Sequence, residues 1–513
     1  MNNNARLEQG DWPWMLSLLL VGCLLLGIFT LTAHRFTDGQ GGVPLDDAWI
    51  HFQFARNLAR GDGLSFNPGQ PTSGSTAPLW TLLLAGVYFV GGEFPATAQV
   101  LSAACFLTTL VTTYMMGKQL TGNRWAAWLA GTIIAVNGRM VWAGLSALEI
   151  CLFTTLSLLA IRDHLRDHAV HHYHLRTAIL FGLATLSRPE GYLLFALSLA
   201  DFTFALTVWK HDEYESWHTR WRRLPLLPAV LFATIVLPYL VFSLRTSGHL
   251  LPNTYHAKAV IDFRPDFLSL SGASQCLILD NFLLLPFFVL GLGMLFRRAS
   301  LLSLWAAGLP LVYAFLHIEP YHHGRYLMPL IPCNAIIGIM GLLETQRLAL
   351  LRRYRWRGSP TTLVVLSVLV IAGTGWRLPE MASKYAWNVD NINEMHVALG
   401  HWVAENTPPD ATLALNDIGA ITYVSERPVV DLAGLVTPEV IPLLHASDRD
   451  SRLADFIVQQ DVQYVIIFPD WFPDLAAHRE LLKPVHQVTL EHNTIASRQT
   501  MIVYLVVQEN HRE

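Results

Sequence analysis

"PLDDAWIHFQFARNLARGDGLSFNPG", residues 44–69, follows the first long apolar run of the chain, residues 13–33. It places two adjacent carboxylates, Asp46 and Asp47, where a first membrane span would end. Charge beside hydrocarbon is costly unless it faces water, a cation or a reacting group. One reading is local: Asp46 caps the free N–H groups that open a helix over Asp47–Arg60. The other is chemical, and the rest of the chain bears on the choice.

Of the 513 residues, 52% are hydrophobic and 14% charged. That balance belongs to a polytopic membrane protein rather than a soluble enzyme. Segments near 13–33, 97–117, 125–143, 147–161, 225–243, 277–295, 300–316, 326–343 and 360–376 reach or approach the length that spans about 30 Å of hydrocarbon as helix. Residues 13–33 have no small-residue cleavage site and read as an uncleaved first span. Cys23, Cys105, Cys151, Cys276 and Cys333 lie in apolar segments without metal-type spacing, so they read as packing residues.

From residue 376 onward there are 9 Lys/Arg against 19 Asp/Glu, whereas the first 375 residues carry 26 against 20. The overall balance carries no footprint of nucleic-acid binding. Basic residues gather at 118–124, 162–176, 210–223, 297–298 and 347–357, which with Arg6 hold 17 of those 26. The positive-inside rule puts these loops and the N-terminus in the cytoplasm, and the Asp46–Asp47 loop and the tail outside. Residues 78–91 are too short for a crossing and read as interfacial or re-entrant. Residues 177–206 read as a hairpin broken at "SRPEG", 187–191. The expected architecture is an α-helical membrane protein of about eleven membrane segments over 1–376, with a first external loop at about 34–96.

In the tail, "INEMHVALGHWVAENTP" has helical spacing, and "ATLAL", "RPVVDL", "VQYVIIF" and "MIVYLVV" read as buried strands, with "SRLADFIVQQ" as a helix. This predicts a soluble extracytoplasmic α/β domain over 385–513, without a phosphate-binding glycine loop. The run "DHLRDHAVHHYHLR", 163–176, reads as a solvated cytoplasmic linker, since its spacing fixes no tetrahedral metal set.

The expensive polar groups gather on the outer side. The first loop offers Asp46, Asp47 and His51. "LSALE" adds Glu149 and "SRPEG" adds Arg188 and Glu190. "LLPNTYHAK" adds Asn253, Tyr255, His256 and Lys258, and "HIEPYHHGRYLMPLIP" adds His322, His323, Arg325 and Tyr326. Individually these could be helix charges, local ion pairs or interfacial anchors. Together they suit an outer cavity for a reaction that needs a base and releases an anionic phosphate.

"LDDAWIHFQFARNLARGDGLSFNPG", "LSALE", "LSRPEG", "GHLLPNTYHAK" and "HGRYLMPLIP" resemble, in order, the motifs of the GT-C membrane glycosyltransferases, closest to the arabinofuranosyltransferase and protein-mannosyltransferase types. The resemblance covers about residues 10–376. Where members often carry tyrosine, glycine and a basic residue, this chain has Trp49, Ala147 and Gln53. The resemblance implies a multi-pass enzyme of the cytoplasmic membrane. It would move a sugar from a polyprenyl-phosphate donor to a hydroxyl of a cell-envelope glycan, lipid or protein on the outer side. It favours Asp46 as base, with Asp47 orienting it or holding a divalent cation such as Mg²⁺ or Mn²⁺ together with Asp46. Arg188, Lys258, Arg325, His256 and Tyr326 are then candidates for the donor phosphate, supported by His51, Glu149, Glu190, Asn253 and His323. A flippase of lipid-linked sugars and an inactive scaffold are the competing readings. A transporter would be expected to show internal repeats and polar groups at the midplane.

Overall fold

A computed structural model describes residues 7–206, 224–258, 264–296, 299–318, 321–351 and 360–507. Arg6, the basic loops at 210–223 and 297–298, and most of 347–357 lie outside the described residues.

The helix Trp12–Phe36 has 25 residues, about 37 Å at 1.5 Å per residue. Met15, Leu18, Leu26, Phe29 and Ala33 form its buried stripe, while Leu16, Leu20, Leu24 and Leu31 are exposed. A protein-facing stripe and an apolar outer face are what a peripheral membrane helix needs. Its start is anchored by buried Asp11, which accepts from Tyr114 Oη at 2.8 Å, Lys118 Nζ at 2.5 Å and Arg124 Nε at 3.0 Å. Five helices among the described residues are long and apolar enough to cross a membrane, or seven if each sharply bent pair counts as one span. The protein is a multi-pass membrane protein.

Several segments expected to be continuous are broken. The run 125–143 divides into Arg124–Ala135 and Gly138–Leu145, because Asn137 caps the second helix by accepting from Met140 N. Gly138–Leu145 then meets Ile150–Val170 at 113°, and Phe267–Asp280 meets Phe282–Leu295 at 96°. The hairpin does break at Arg188, between Leu175–Ser187 and Glu190–Phe204. Pro78–Phe89 has 12 residues, about 18 Å, too short to cross.

The first half of the histidine-rich run is not a solvated linker. Ile150–Val170 continues into it, with His164 fully buried and its Nε2 2.8 Å from Asp201 Oδ2. The apolar packing of helix Ile150–Val170 against its neighbours turns that part of the run inward.

Leaving the last apolar helix, Pro360–Gly375, the chain forms Leu378–Asn391, a π-helical turn Ile392–Val397 and Ala398–Asn406. The expected start of the tail at 385 falls inside the first of these. A five-stranded sheet follows: β1 Leu413–Leu415, β2 Val429–Asp431, β3 Tyr464–Ile467, β4 Leu482–Thr489 and β5 Thr500–Val506, in the order β2-β1-β3-β5-β4. β1 pairs parallel with β2 and β3, and β5 pairs antiparallel with β3 and β4. β4 is the strand the sequence hides, because it is a mostly exposed edge interrupted by Pro484.

The sheet is not merely tethered. Phe54 and Phe66 from the first loop are fully buried in one core with Leu413, Leu415, Ile466 and Val503. Arg56 donates to Glu426 at 2.7 Å and lies 4.1 Å from the Tyr423 ring centre. Asn67 bonds both backbone groups of Val429, at 2.8 and 2.9 Å.

Candidate active site

The C-terminal ends of parallel strands are where open α/β sheets place their ligand-binding loops. Here the segments after β1, β2 and β3 contribute Asn416, Asp417, Leu435, Trp471 and Phe472 to a cavity of about 500 Å³. Its other wall carries Asp46, Asp47, Ala257 and His322. The volume lies within the usual range of small-molecule sites, roughly 300–1,000 Å³.

The two aspartates part company at this cavity. Asp46 makes no side-chain cap to its own helix. Its Oδ2 accepts from Gly419 N at 2.8 Å and its Oδ1 from Ala420 N at 2.7 Å, so it caps a tail helix instead. Asp46 is 8% exposed. Burial pushes its carboxyl up to about 6; Asp417 adds to the shift, while His396 and the two amides oppose it. Asp47 reaches further into solvent and accepts from Arg325 Nη2 at 2.6 Å.

Arg325 opens a buried ionic chain. Its Nη2 also donates to Tyr326 Oη at 3.2 Å, and its buried Nε has no partner among the described residues. The Tyr326 ring lies 5.4 Å from the guanidinium of Arg188. Arg188 donates to Glu149 at 2.7 Å and to Glu190 at 2.6 and 3.0 Å. His51 Nε2 is 3.5 Å from Glu149, and Tyr313 donates to Glu190. Thus Asp47, His51, Glu149, Arg188, Glu190, Arg325 and Tyr326 do converge. Arg188 is engaged by two carboxylates, Glu149 and Glu190, whereas Arg325 pairs with Asp47.

Asn253, His323 and His256 make their contacts outside this ionic chain. Asn253 is fully buried and ties Thr72 to the Leu435 carbonyl, both at 3.3 Å. His323 Nε2 lies 2.8 Å from Asn388 Oδ1, a tie to the tail helix. His256 stacks on His249 with ring centres 4.2 Å apart; burial and then that neighbour hold its pKa below the ordinary value. Lys258 ends the helix Asn253–Lys258, and its side chain lies outside the described residues.

The resemblance implies Asp46 and Asp47 as the holders of a divalent cation. Both oxygens of one accept backbone amides and the other is ion-paired, and among the described residues no group of three His, Cys, Asp or Glu could hold a metal. No step below runs through one.

Two features escape the sequence motifs. The first is the tail group of His396, Asp417, Gly419 and Ala420. The second is the clamp on the turn before Arg325, in which His322, His323 and Gly324 all have positive φ (48°, 61° and 67°). Arg139 clamps it, donating to the carbonyls of His323 at 2.6 Å and Gly324 at 2.8 Å while paired with Asp280 at 2.5 Å. An ionisable residue inside each of two apolar runs was the available signal. A Cβ on Gly324 would lie 2.6 Å from Arg139 Nη2 and from Cys276 Sγ. Gly324→Ala should therefore cost about 1–3 kcal/mol, read as a lower midpoint in thermal unfolding of the purified protein. A midpoint equal to wild type would remove the clamp.

In three dimensions the chain aligns with ArnT from Cupriavidus metallidurans, a structure solved bound to undecaprenyl phosphate. The TM-score is 0.60 at 12% identity, over 95% of this chain and 97% of that one. It also aligns with an Archaeoglobus fulgidus oligosaccharyltransferase solved with Zn and sulfate, with a TM-score of 0.54 at 14% identity, over 86% and 67% of the two chains. Arabinofuranosyltransferase AftD from Mycobacteria gives a TM-score of 0.50 at 15% identity, over 96% of this chain and 42% of that one. The chain shares the fold of these structures, as the resemblance to the GT-C membrane glycosyltransferases implies. Residues 388–504 match a family described as a domain of unknown function, DUF8728. No curated protein matches the sequence. In this fold the acid pair sits where the first loop meets the tail, and the DUF8728 region supplies the amides that hold Asp46.

Proposed function

We propose that the protein transfers a sugar from a polyprenyl-phosphate carrier to an acceptor hydroxyl of a cell-envelope glycan, lipid or protein at the outer face of the cytoplasmic membrane. The observation that carries this reading is a cavity lined by the buried, amide-held Asp46 and by Asp47, whose ion-pair partner Arg325 keeps a buried donor without a partner among the described residues. The GT-C fold and the undecaprenyl phosphate bound in ArnT support it.

In the proposed step the acceptor oxygen attacks the anomeric carbon and its proton passes to Asp46. The new C–O bond forms as the bond to the phosphate oxygen breaks, and polyprenyl phosphate leaves as an anion. Two amides occupy two of the roughly four lone-pair sites of a carboxylate, so the others can take a proton. A base is most effective when its pKa lies near the working pH, and Asp46 at about 6 meets that condition. Arg325 supplies fixed positive charge for the departing phosphate, with Asp47 and Tyr326 orienting it.

The test is purified protein with a panel of undecaprenyl-phosphate sugars and a cell-envelope extract as acceptor. Release of undecaprenyl phosphate with labelled acceptor supports the reading. Donor crossing vesicle leaflets uncleaved would favour the flippase.

The same reading sets orientation. Cysteine placed at Asp470, on the tail, should react with an impermeant thiol reagent added outside cells. Cysteine at Asn123, at the far end of helix Ala96–Thr121, should not. Labelling of both from one side would reject the topology.

A further inference from the structure

We infer that the tail domain is a working part of the reaction centre, with Gly419 and the amide of Ala420 as positioning residues that seat the Asp46 carboxylate. The inference rests on Asp46 being the base.

Gly419 does not have positive φ, so its backbone does not require glycine. The space does. A Cβ there would lie 2.3 Å from the Asp46 carbonyl oxygen and 2.6 Å from Asp46 Oδ2. Real Cβ atoms do not tolerate such contacts, so any side chain at 419 must displace Asp46 or withdraw the tail segment. The amides of Gly419 and Ala420 open the helix Gly419–Ser425 and have no acceptor within it. Asp46 is their partner across 373 and 374 residues of chain.

The same wall holds the groups that face Asp46. His396 is 1% exposed, with Nε2 3.1 Å from Asp417 Oδ2, and both residues line the cavity beside Asp46. From its own helix Asp46 has only Asp47 adjacent, and that carboxylate is turned to Arg325. The electrostatic surroundings of the base are thus built largely by the tail. Docking itself does not hang on the contact at 419, since Arg56–Glu426, Asn67–Val429 and the shared core of Phe54 and Phe66 hold the sheet in place. A change at 419 therefore acts locally.

The experiment uses the full-length protein with the donor that turns over. Gly419→Ala moves the seat by bulk, and Ala420→Pro removes one amide at a first-turn position where proline is tolerated. Each should lower kcat roughly 10–100-fold, as a misplacement of about 1 Å does, with binding of undecaprenyl phosphate unchanged. Losing amide donors to the ionised carboxylate raises its pKa. The acid limb of the kcat–pH profile should accordingly move up by about one unit. Wild-type kcat in both variants overturns the inference. So does a fall in kcat with an unmoved acid limb, which marks a merely structural role. Asp46→Ala is the separate arm: full turnover there removes Asp46 as base, whatever the tail variants do.

Discussion

Asp46→Asn should lower turnover by roughly 10²–10⁴, the usual worth of general-base catalysis, while undecaprenyl phosphate still binds. The substitution keeps the volume but cannot accept the acceptor proton. It also turns an NH₂ toward one of the two amides that now donate to Asp46, so the tail contact loosens as well. Asp46→Ser, which keeps an acceptor for one amide, should be as inactive if base chemistry is the main loss. Turnover of the wild-type protein should fall as pH drops through about 6, because only the ionised form is a base. Stability from this group runs the other way. Its folded pKa is raised above the ordinary 3.8, so its contribution is fully present below 3.8 and lost as pH rises through about 6. Activity and folding should therefore prefer different ends of that window. Wild-type kcat in purified Asp46→Asn, with the same donor, would reduce Asp46 to a strut between the domains.

Much of this was legible. Apolar length and the gathering of polar motifs gave the membrane fold, "SRPEG" marked the hairpin break, and alternation of strand and helix patterns gave the α/β tail. Local signals did the rest poorly. A capping aspartate looks the same in sequence whether it serves its own helix or one 373 residues away. Nothing local in "NDIGA" marks Gly419, because what it must make room for is Asp46, a neighbour that only folding brings. Arg139 and Asp280 were each visible as an ion in an apolar run, but their pairing across 141 residues was not. Nor could the sequence tell a cation engaged by carboxylates on both sides, as Arg188 is, from one with a donor to spare.

That last distinction sets the second large effect. Arg325→Ala should cost about 2–4 kcal/mol of transition-state stabilisation, by analogy with removing one oxyanion donor, read as a fall in kcat of roughly 10²–10³. Arg325 is buried, held from Nη2 by Asp47 and Tyr326, and carries a buried Nε with no partner among the described residues. An unsatisfied buried donor is costly unless something completes it. A phosphate oxygen would. The clamp by Arg139 fixes the turn from which the side chain projects, so little motion is needed as charge develops on the leaving group. Arg325→Lys keeps the charge but not the planar fork, and should recover only part of the rate. Arg188→Ala offers the contrast. It leaves Glu149 and Glu190 uncompensated in a buried site, so it should act first on stability, seen as a lower unfolding midpoint. If Arg325→Ala retains wild-type kcat and affinity for undecaprenyl phosphate, the leaving-group role passes from it to another cation of the site.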